Sequence, residues 1–234
     1  MVKAVLFDAA GTLFRLRVPV GVVYLETARR FGFDSPVGGE EVLGDAFARC
    51  LRARPPLAFG KQPPDRVAAL EFDWWRELVR EVFAPYGPFA RFDEFFQCLF
   101  EEFSSCRHWM LERGCVDLLG RLSEAGVRLA VVSNFDSRLP SVLEGLGIAR
   151  FFDVIVVSSH CATAKPDPGI FLTACTRLGV PPAEALHIGD SPLEDFHGAQ
   201  SAGLRAVLYD SQNRYQGFQG ERIMHLADAL RLTS

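Results

Sequence analysis

Four polar elements in this sequence each follow a short apolar run. Asp8 comes after residues 2–7, Ser133-Asn134 after 127–132, Lys165-Pro166-Asp167 shortly after 154–157, and Gly189-Asp190 after 185–188. If the runs are parallel strands, their carboxyl ends converge, and one crevice holds a carboxylate, a hydroxyl, an ammonium and a second carboxylate. That set suits phosphoryl transfer through an aspartate. Asp8 would attack phosphorus and carry the group as an aspartyl phosphate, splitting one hard displacement into two. Asp8 and Asp190 would hold Mg²⁺, a hard ion that prefers oxygen ligands. Ser133, Lys165 and backbone N–H groups near Ala9, Ala10 and Asn134 would neutralise the phosphoryl oxygens, with Thr12 and Asn134 as further substrate-binding residues. Asp195 would pair with Lys165 or orient a metal-bound water. Each item alone has an ordinary explanation as a helix cap, a turn or a loop entering a helix. The ordered set at four successive strand ends does not.

The elements that must position these residues are legible as a rhythm. The apolar runs above, with a fifth at 205–208, suit strands buried on both faces of a parallel sheet. Helical stretches at 114–125, 138–146, 168–178 and 192–202 separate them, several closed by glycine. Alternation of this kind implies right-handed crossovers and an α/β class, a Rossmann-like doubly wound sheet. Residues 15–106 break the rhythm and read as helices at 20–32, 40–54, 65–83 and 92–103, an all-helical insertion or cap. The expected division is a core of 1–14 and 107–234 and a cap of 15–106. The cap's many Phe and Trp residues, Phe72, Trp74, Trp75, Phe95 and Phe96 among them, read as a bundle core. A loop at 211–220 and a short last helix at 221–230 complete the chain.

Composition narrows the partners. With 234 residues, 49% of them hydrophobic, there is ample material for a large core. The 25 basic and 29 acidic residues are spread without a dense Lys/Arg run, which argues against nucleic acid as a partner. No secretory leader pattern follows Met1 and no run of about 18 apolar residues occurs. The expectation is a soluble cytoplasmic protein, monomer or homodimer, with a small phosphorylated molecule as substrate and no membrane partner. The six cysteines form no C-x-x-C pair and read as buried thiols, and the five histidines lack zinc-site spacing. His160-Cys161 reads as a pair at a loop or strand end.

The stretches Phe7-Asp8-Ala9-Ala10-Gly11-Thr12-Leu13-Phe14, Val131-Val132-Ser133-Asn134-Phe135-Asp136, Ala164-Lys165-Pro166-Asp167-Pro168 and His187-Ile188-Gly189-Asp190-Ser191-Pro192-Leu193-Glu194-Asp195 resemble, in order, the four motifs of the haloacid dehalogenase superfamily. More loosely, Leu13-Phe14-Arg15-Leu16-Arg17 and Ser133 to Leu139 resemble its subgroup of haloacid dehalogenase-like hydrolase domain-containing protein 3. The resemblance implies a Rossmann-like core and a mobile helical cap inserted after the first motif.

One departure stands out. Phosphatases of the superfamily carry Asp at the place of Ala10, where it protonates the leaving oxygen and then activates water. Such catalysis contributes on the order of 10² to 10⁴-fold, about 3 to 5 kcal/mol of barrier. The resemblance also implies that this residue ligates the metal through its backbone carbonyl, which alanine retains, so Asp8, Ala10 and Asp190 remain the expected ligands. Three readings follow: a Mg²⁺-dependent phosphatase that is slow or selective, using an activated leaving group or an acid supplied by the cap, a 2-haloacid dehalogenase-type hydrolase, and a weak or inactive binding or regulatory protein on the same fold. The retained Gly189-Asp190 argues against the second. A Schiff-base reaction would need a buried cap lysine, and Lys61 sits in a Gly60-Lys61-Gln62-Pro63 turn.

Overall fold

The computed structural model describes residues 2–34, 38–87 and 89–233. Six parallel strands form one sheet in the order β5-β4-β1-β6-β7-β8. They are β1 (Ala4–Phe7), β4 (Arg128–Ser133), β5 (Val154–Val157), β6 (Ala185–Gly189), β7 (Arg205–Tyr209) and β8 (Arg222–Ile223). Strand β1 is central, with Phe7 opposite Val131 on one side and Ile188 on the other. Topology therefore brings the end of β1 between the ends of β4 and β6. The chain reverses its strand order there, which is where such sheets open a crevice.

Side chains alternate across the sheet with period two. Val5, Phe7, Leu129, Val131, Leu186, Ile188 and Val207 pack on one face against α5 (Cys115–Glu124) and α6 (Leu139–Gly145). Ala4, Leu6, Ala130, Val132, Ala206 and Leu208 pack on the other against α7 (Pro168–Leu178) and α8 (Gly198–Ser201). This double burial explains why the strands read as continuous apolar runs.

Between β1 and α5 lies a two-stranded antiparallel ribbon, β2 (Phe14–Leu16) with β3 (Trp109–Leu111). The expected boundary at residues 14 and 15 falls inside it. From this ribbon rise four helices, α1 (Val20–Arg30), α2 (Gly39–Ala53), α3 (Pro64–Phe83) and α4 (Phe92–Glu102), close to the expected spans. Their apolar stripes meet in a separate cluster that includes Phe83, Phe95, Phe96 and Leu99. Phe72, Trp74 and Trp75 pack partly buried against it, so the aromatics serve as a bundle core.

Two local expectations are corrected. Residues 222–223 form a sixth strand beside β7 rather than the start of a helix, and the last helical turns are a 3₁₀ stretch, Leu226–Leu232. Hydrogen bonding to the sheet edge outweighs the weak helical pattern of so short a segment. The helix expected at 192–202 begins as a wide π-type turn, Pro192–His197, in which Phe196 N–H reaches the Ser191 carbonyl at 3.1 Å. Windings of this kind collect at functional sites.

Candidate active site

Asp8, Ser133 and Asp190 stand at the carboxyl ends of β1, β4 and β6, Lys165 lies in the loop beyond β5, and most of these side chains converge. Asp8 follows β1, and its backbone N–H donates to the Ile188 carbonyl at 2.9 Å. Ser133 ends β4 and donates to Asp8 Oδ1 at 3.0 Å. Lys165 Nζ donates to the same oxygen at 2.6 Å and to Asp195 Oδ1 at 2.6 Å. Both side-chain donors thus converge on Oδ1, and Oδ2 of Asp8 carries neither. Asp8, Ser133, Lys165 and Asp195 are all buried.

Two glycines make this convergence sterically possible. A Cβ at Gly189 would lie 2.1 Å from Asp195 Cγ, and one at Gly11 would lie 2.7 Å from an Asp190 carboxylate oxygen. Gly11 also has φ +101°, a region that side chains other than glycine's disfavour. The turn holding it is tied by Thr12, Leu13 and Phe14 N–H groups to the Ala9 carbonyl and by Gly11 N–H to Phe14 O. None of these bonds uses the Ala10 carbonyl. Thr12 is fully buried with a hydroxyl that meets no protein partner.

The Asn134 side chain is engaged with Lys165. Its amide oxygen accepts from Lys165 N at 2.8 Å and its Nδ2 donates to Lys165 O at 2.9 Å, a two-bond clamp on the lysine's own peptide. The same Nδ2 lies 3.3 Å from Glu194 Oε2. A lysine with a flexible four-carbon stem is thereby aimed from a fixed backbone.

Sequence reading missed His187. It is fully buried, its Nε2–H donates to Asp195 Oδ1 at 3.0 Å, and its ring meets Phe171 edge-on. The signal was the strand period: residues 187 and 189 share a face of β6, and the face that lets Asp195 fill the place of a Gly189 side chain also presents His187 to it. Ser191 N–H completes the set around Asp195 at 2.9 Å.

The electrostatics are lopsided. Burial alone would raise Asp195, but Lys165, followed by His187, outweighs it and holds the carboxyl well below the usual range. Burial likewise opposes the charge of Lys165, yet Asp195 and Asp8 outweigh that and hold the ammonium strongly protonated. Asp8 moves the other way: burial raises it more than Lys165 lowers it, and Asp195 adds to the rise. Asp190, half-buried, has no cation partner among the described residues. Burial, then the charges of Asp8 and Asp195, push it up to about 7.

Oxygens of Asp8, Asp190 and Asp195 lie within 4.8 Å of one another. Three carboxylates against one ammonium leave excess negative charge, and the donor chemistry is all oxygen, so the residues present fit a hard divalent cation. Asp195 already accepts from Lys165, His187 and Ser191, which leaves Asp8 and Asp190 as the carboxylates with room for one.

Helix α3 lies over this crevice. Trp75 Nε1 donates to Asp136 Oδ2 at 2.6 Å, and Glu71, buried, accepts from Ser137 N at 3.0 Å and Ser137 Oγ at 2.9 Å. With Ser137 donating to Glu71, His160 Nε2–H donates to Ser137 Oγ at 2.7 Å. Gly60 N–H reaches the Cys161 carbonyl at 2.8 Å, and the neighbouring Lys61 is exposed. Both Glu71 and Trp75 thus bind the loop that follows Ser133. A cavity of about 310 Å³ lies elsewhere, between α3 and α4, and its arginines Arg80 and Arg91 are already paired with Glu77 and Glu94.

An acidic crevice at the switch point of a doubly wound parallel sheet, with lysine and serine on one aspartate and a second acid beside it, has the architecture of an α/β hydrolase. The chain belongs to the haloacid dehalogenase-like hydrolase family, whose model matches residues 2–203. It is 35% identical over 214 residues to haloacid dehalogenase-like hydrolase domain-containing protein 3 of Bos taurus, covering 86% of this chain and 79% of the relative. It is 29% identical over 214 residues to the N-acetylmuramic acid 6-phosphate phosphatase of Pseudomonas aeruginosa, covering 88% and 82%. Its fold matches that of the magnesium-bound hydrolase YfnB of Bacillus subtilis with a TM-score of 0.72 at 21% identity, over 99% of this chain and 98% of that one. The six cysteines are free thiols, and no helix of the described residues is long and apolar enough to cross a membrane.

Proposed function

We propose that this hydrolase is a Mg²⁺-dependent phosphatase acting on a small phosphomonoester through a phosphorylated Asp8. The observation that carries the reading is the unbalanced carboxylate pair, Asp8 and Asp190, beside a lysine already committed to Asp8 and Asp195. A carbon-halogen hydrolase has no use for Asp190, whereas a phosphatase has two: holding Mg²⁺ and offsetting the charge of a phosphate drawn toward an anionic nucleophile. The Pseudomonas aeruginosa relative, a sugar phosphate phosphatase by name, supports the same class.

In this reading Asp8, Asp190 and the Ala10 carbonyl would hold Mg²⁺, which would supply positive charge to offset that of the phosphoryl oxygens. Oδ2 of Asp8, free of side-chain donors, attacks phosphorus in line with the leaving oxygen. Lys165 and Ser133 keep Oδ1 in place, the third N–H of Lys165 remains for the phosphoryl group, and the buried Thr12 hydroxyl and the Asn134 backbone N–H lie beside it, with Ser133 joining them when its one O–H turns from Asp8. Asp195, held by His187 and Ser191, keeps Lys165 charged and fixed. The helices of residues 15–106 form the cap, and the contacts at Glu71 and Trp75 are its closed position, which excludes water and selects the substrate.

Turnover of an activated aryl phosphate, an alkyl phosphate and a 2-haloacid, each with Mg²⁺ and with chelator, tests the proposal. Phosphate release that needs Mg²⁺ and disappears in Asp8→Asn is the expected result. Halide release without metal would overturn it in favour of dehalogenation, and phosphate binding without turnover would assign the chain a binding role.

A further inference from the structure

The absent carboxylate at position 10 leaves the phosphatase reading without a proton donor; that reading assigns Asp190 to Mg²⁺, and Asp136, Glu71 and Asp195 are held by protein groups. Asp136 is bound by Arg138 at 2.9 and 2.6 Å and by Trp75, and Glu71 is bound by Ser137. Asp195 holds Lys165 and His187. Glu194 differs from all of these. It meets no cation within ion-pair distance among the described residues, it is half-buried, and its one side-chain partner is the Asn134 amide at 3.3 Å through Oε2, so Oε1 is uncommitted. Its place is the rim of the phosphate cradle: its neighbour Asp195 grips the Lys165 ammonium, and Asn134 follows Ser133, whose hydroxyl touches Asp8.

The π-type winding of Pro192–His197 sets this placement. It splays two adjacent acids, turning Asp195 inward beneath Gly189 and leaving Glu194 on the crevice side beside Asn134. Burial raises the Glu194 carboxyl above its ordinary range, as do the nearby charges of Asp195 and Asp8, against the opposing pull of Lys165, which favours a carboxyl that can carry a proton.

We propose that Glu194 is the general acid and base of this enzyme, a displaced replacement for the side chain that Ala10 lacks. The inference rests on the phosphatase reading. In the first step the Asp8 Oδ2–P bond forms as the P–O bond to the leaving group breaks, and the Glu194 proton passes to that oxygen to release the alcohol. In the second, water attacks phosphorus and gives a proton to the Glu194 carboxylate while the Asp8–P bond breaks. Phosphate leaves, and Asp8 carboxylate and Glu194 carboxyl are restored.

The test uses kcat/KM, which reads the reaction through leaving-group departure, for an alkyl phosphate and an activated aryl phosphate whose oxygen departs without a proton. Glu194→Gln should lower the alkyl value by about 10²-fold or more and the aryl value by less than about tenfold. Surviving aryl turnover shows that the variant is folded with its nucleophile and metal intact. Ala10→Asp should then raise alkyl kcat/KM more in the Glu194→Gln background than in the wild type, since it restores a lost role in one and duplicates it in the other. Equal losses on both substrates, no loss on either, or equal gains in both backgrounds would overturn the assignment while leaving the phosphatase standing. A wild type that turns over neither phosphate overturns both.

Discussion

Gly189 and Asp195 occupy one another's space: a Cβ on residue 189 would lie 2.1 Å from Asp195 Cγ, so the carboxylate that grips Lys165 sits where a side chain would otherwise be. The glycine thereby positions a lysine that it never touches. Gly189→Ala should displace Asp195, free the Lys165 ammonium and lower aryl phosphate kcat by about 10²-fold, as misplacement near an ångström does. Phosphate release measured beside the melting temperature checks this. Both should fall, since the overlap that frees Lys165 also crowds a buried carboxylate, and the loss of kcat should persist well below the melting temperature of the variant.

Lys165→Met should destabilise the protein as well as silence it. Removing the lysine leaves Asp8 and Asp195 buried without their cation, a loss of about 3–5 kcal/mol at neutral pH. The penalty should narrow as pH falls toward about 5, because carboxylates released from Lys165 take up protons more readily. Urea unfolding at the two pH values measures it, and an equal penalty at both would contradict this ledger of charge.

Asp190 predicts the opposite pH trend in protein kept free of metal. Burial, Asp8 and Asp195 push its carboxyl up to about 7, so the folded state keeps a proton that the unfolded chain releases near its ordinary value of 3.8. Between those values the folded state binds more protons, and stability contributed at this position falls as pH rises toward about 7. With chelator present, the melting temperature of the wild type relative to Asp190→Asn should drop across that window. Added Mg²⁺ should raise the melting temperature of the wild type more at pH 8 than at pH 5.5, and raise that of Asp190→Asn little at either.

Glu71→Gln and Trp75→Phe should loosen α3 from the crevice while leaving the Asp8 cluster intact. Trp75→Phe removes one hydrogen bond to the loop after Ser133 and Glu71→Gln takes the charge from two, where an ordinary hydrogen bond is worth about 1 kcal/mol and one with a charged group about 1.5–3. The expected outcome is faster proteolysis in the segment around Gly60 and a higher KM with little change in aryl kcat. An unchanged KM in both variants would place these contacts outside the closing motion.

How much was legible in the chain divides along physical lines. The parallel strands were readable because burial on both faces makes each a continuous apolar run, and Asp8, Ser133, Lys165 and Asp190 were readable because a parallel sheet gathers the ends of such runs at one edge. The helical stretches of residues 20–103 follow from local composition in the same way. What tertiary structure alone decided is who holds whom. Asn134 clamps the Lys165 peptide, His187 braces Asp195, Glu71 and Trp75 pin α3 over the crevice, and the π-type winding separates Glu194 from Asp195. The partners of Asn134, Glu71 and Trp75 lie 31 to 66 residues away in the chain, beyond the reach of any local preference. Residue 10 shows the division most plainly. The sequence by itself determined that a carboxyl is missing there, a matter of one side chain, whereas which other carboxyl stands uncommitted beside the cradle depends on how distant partners consume the rest, and only packing settles that.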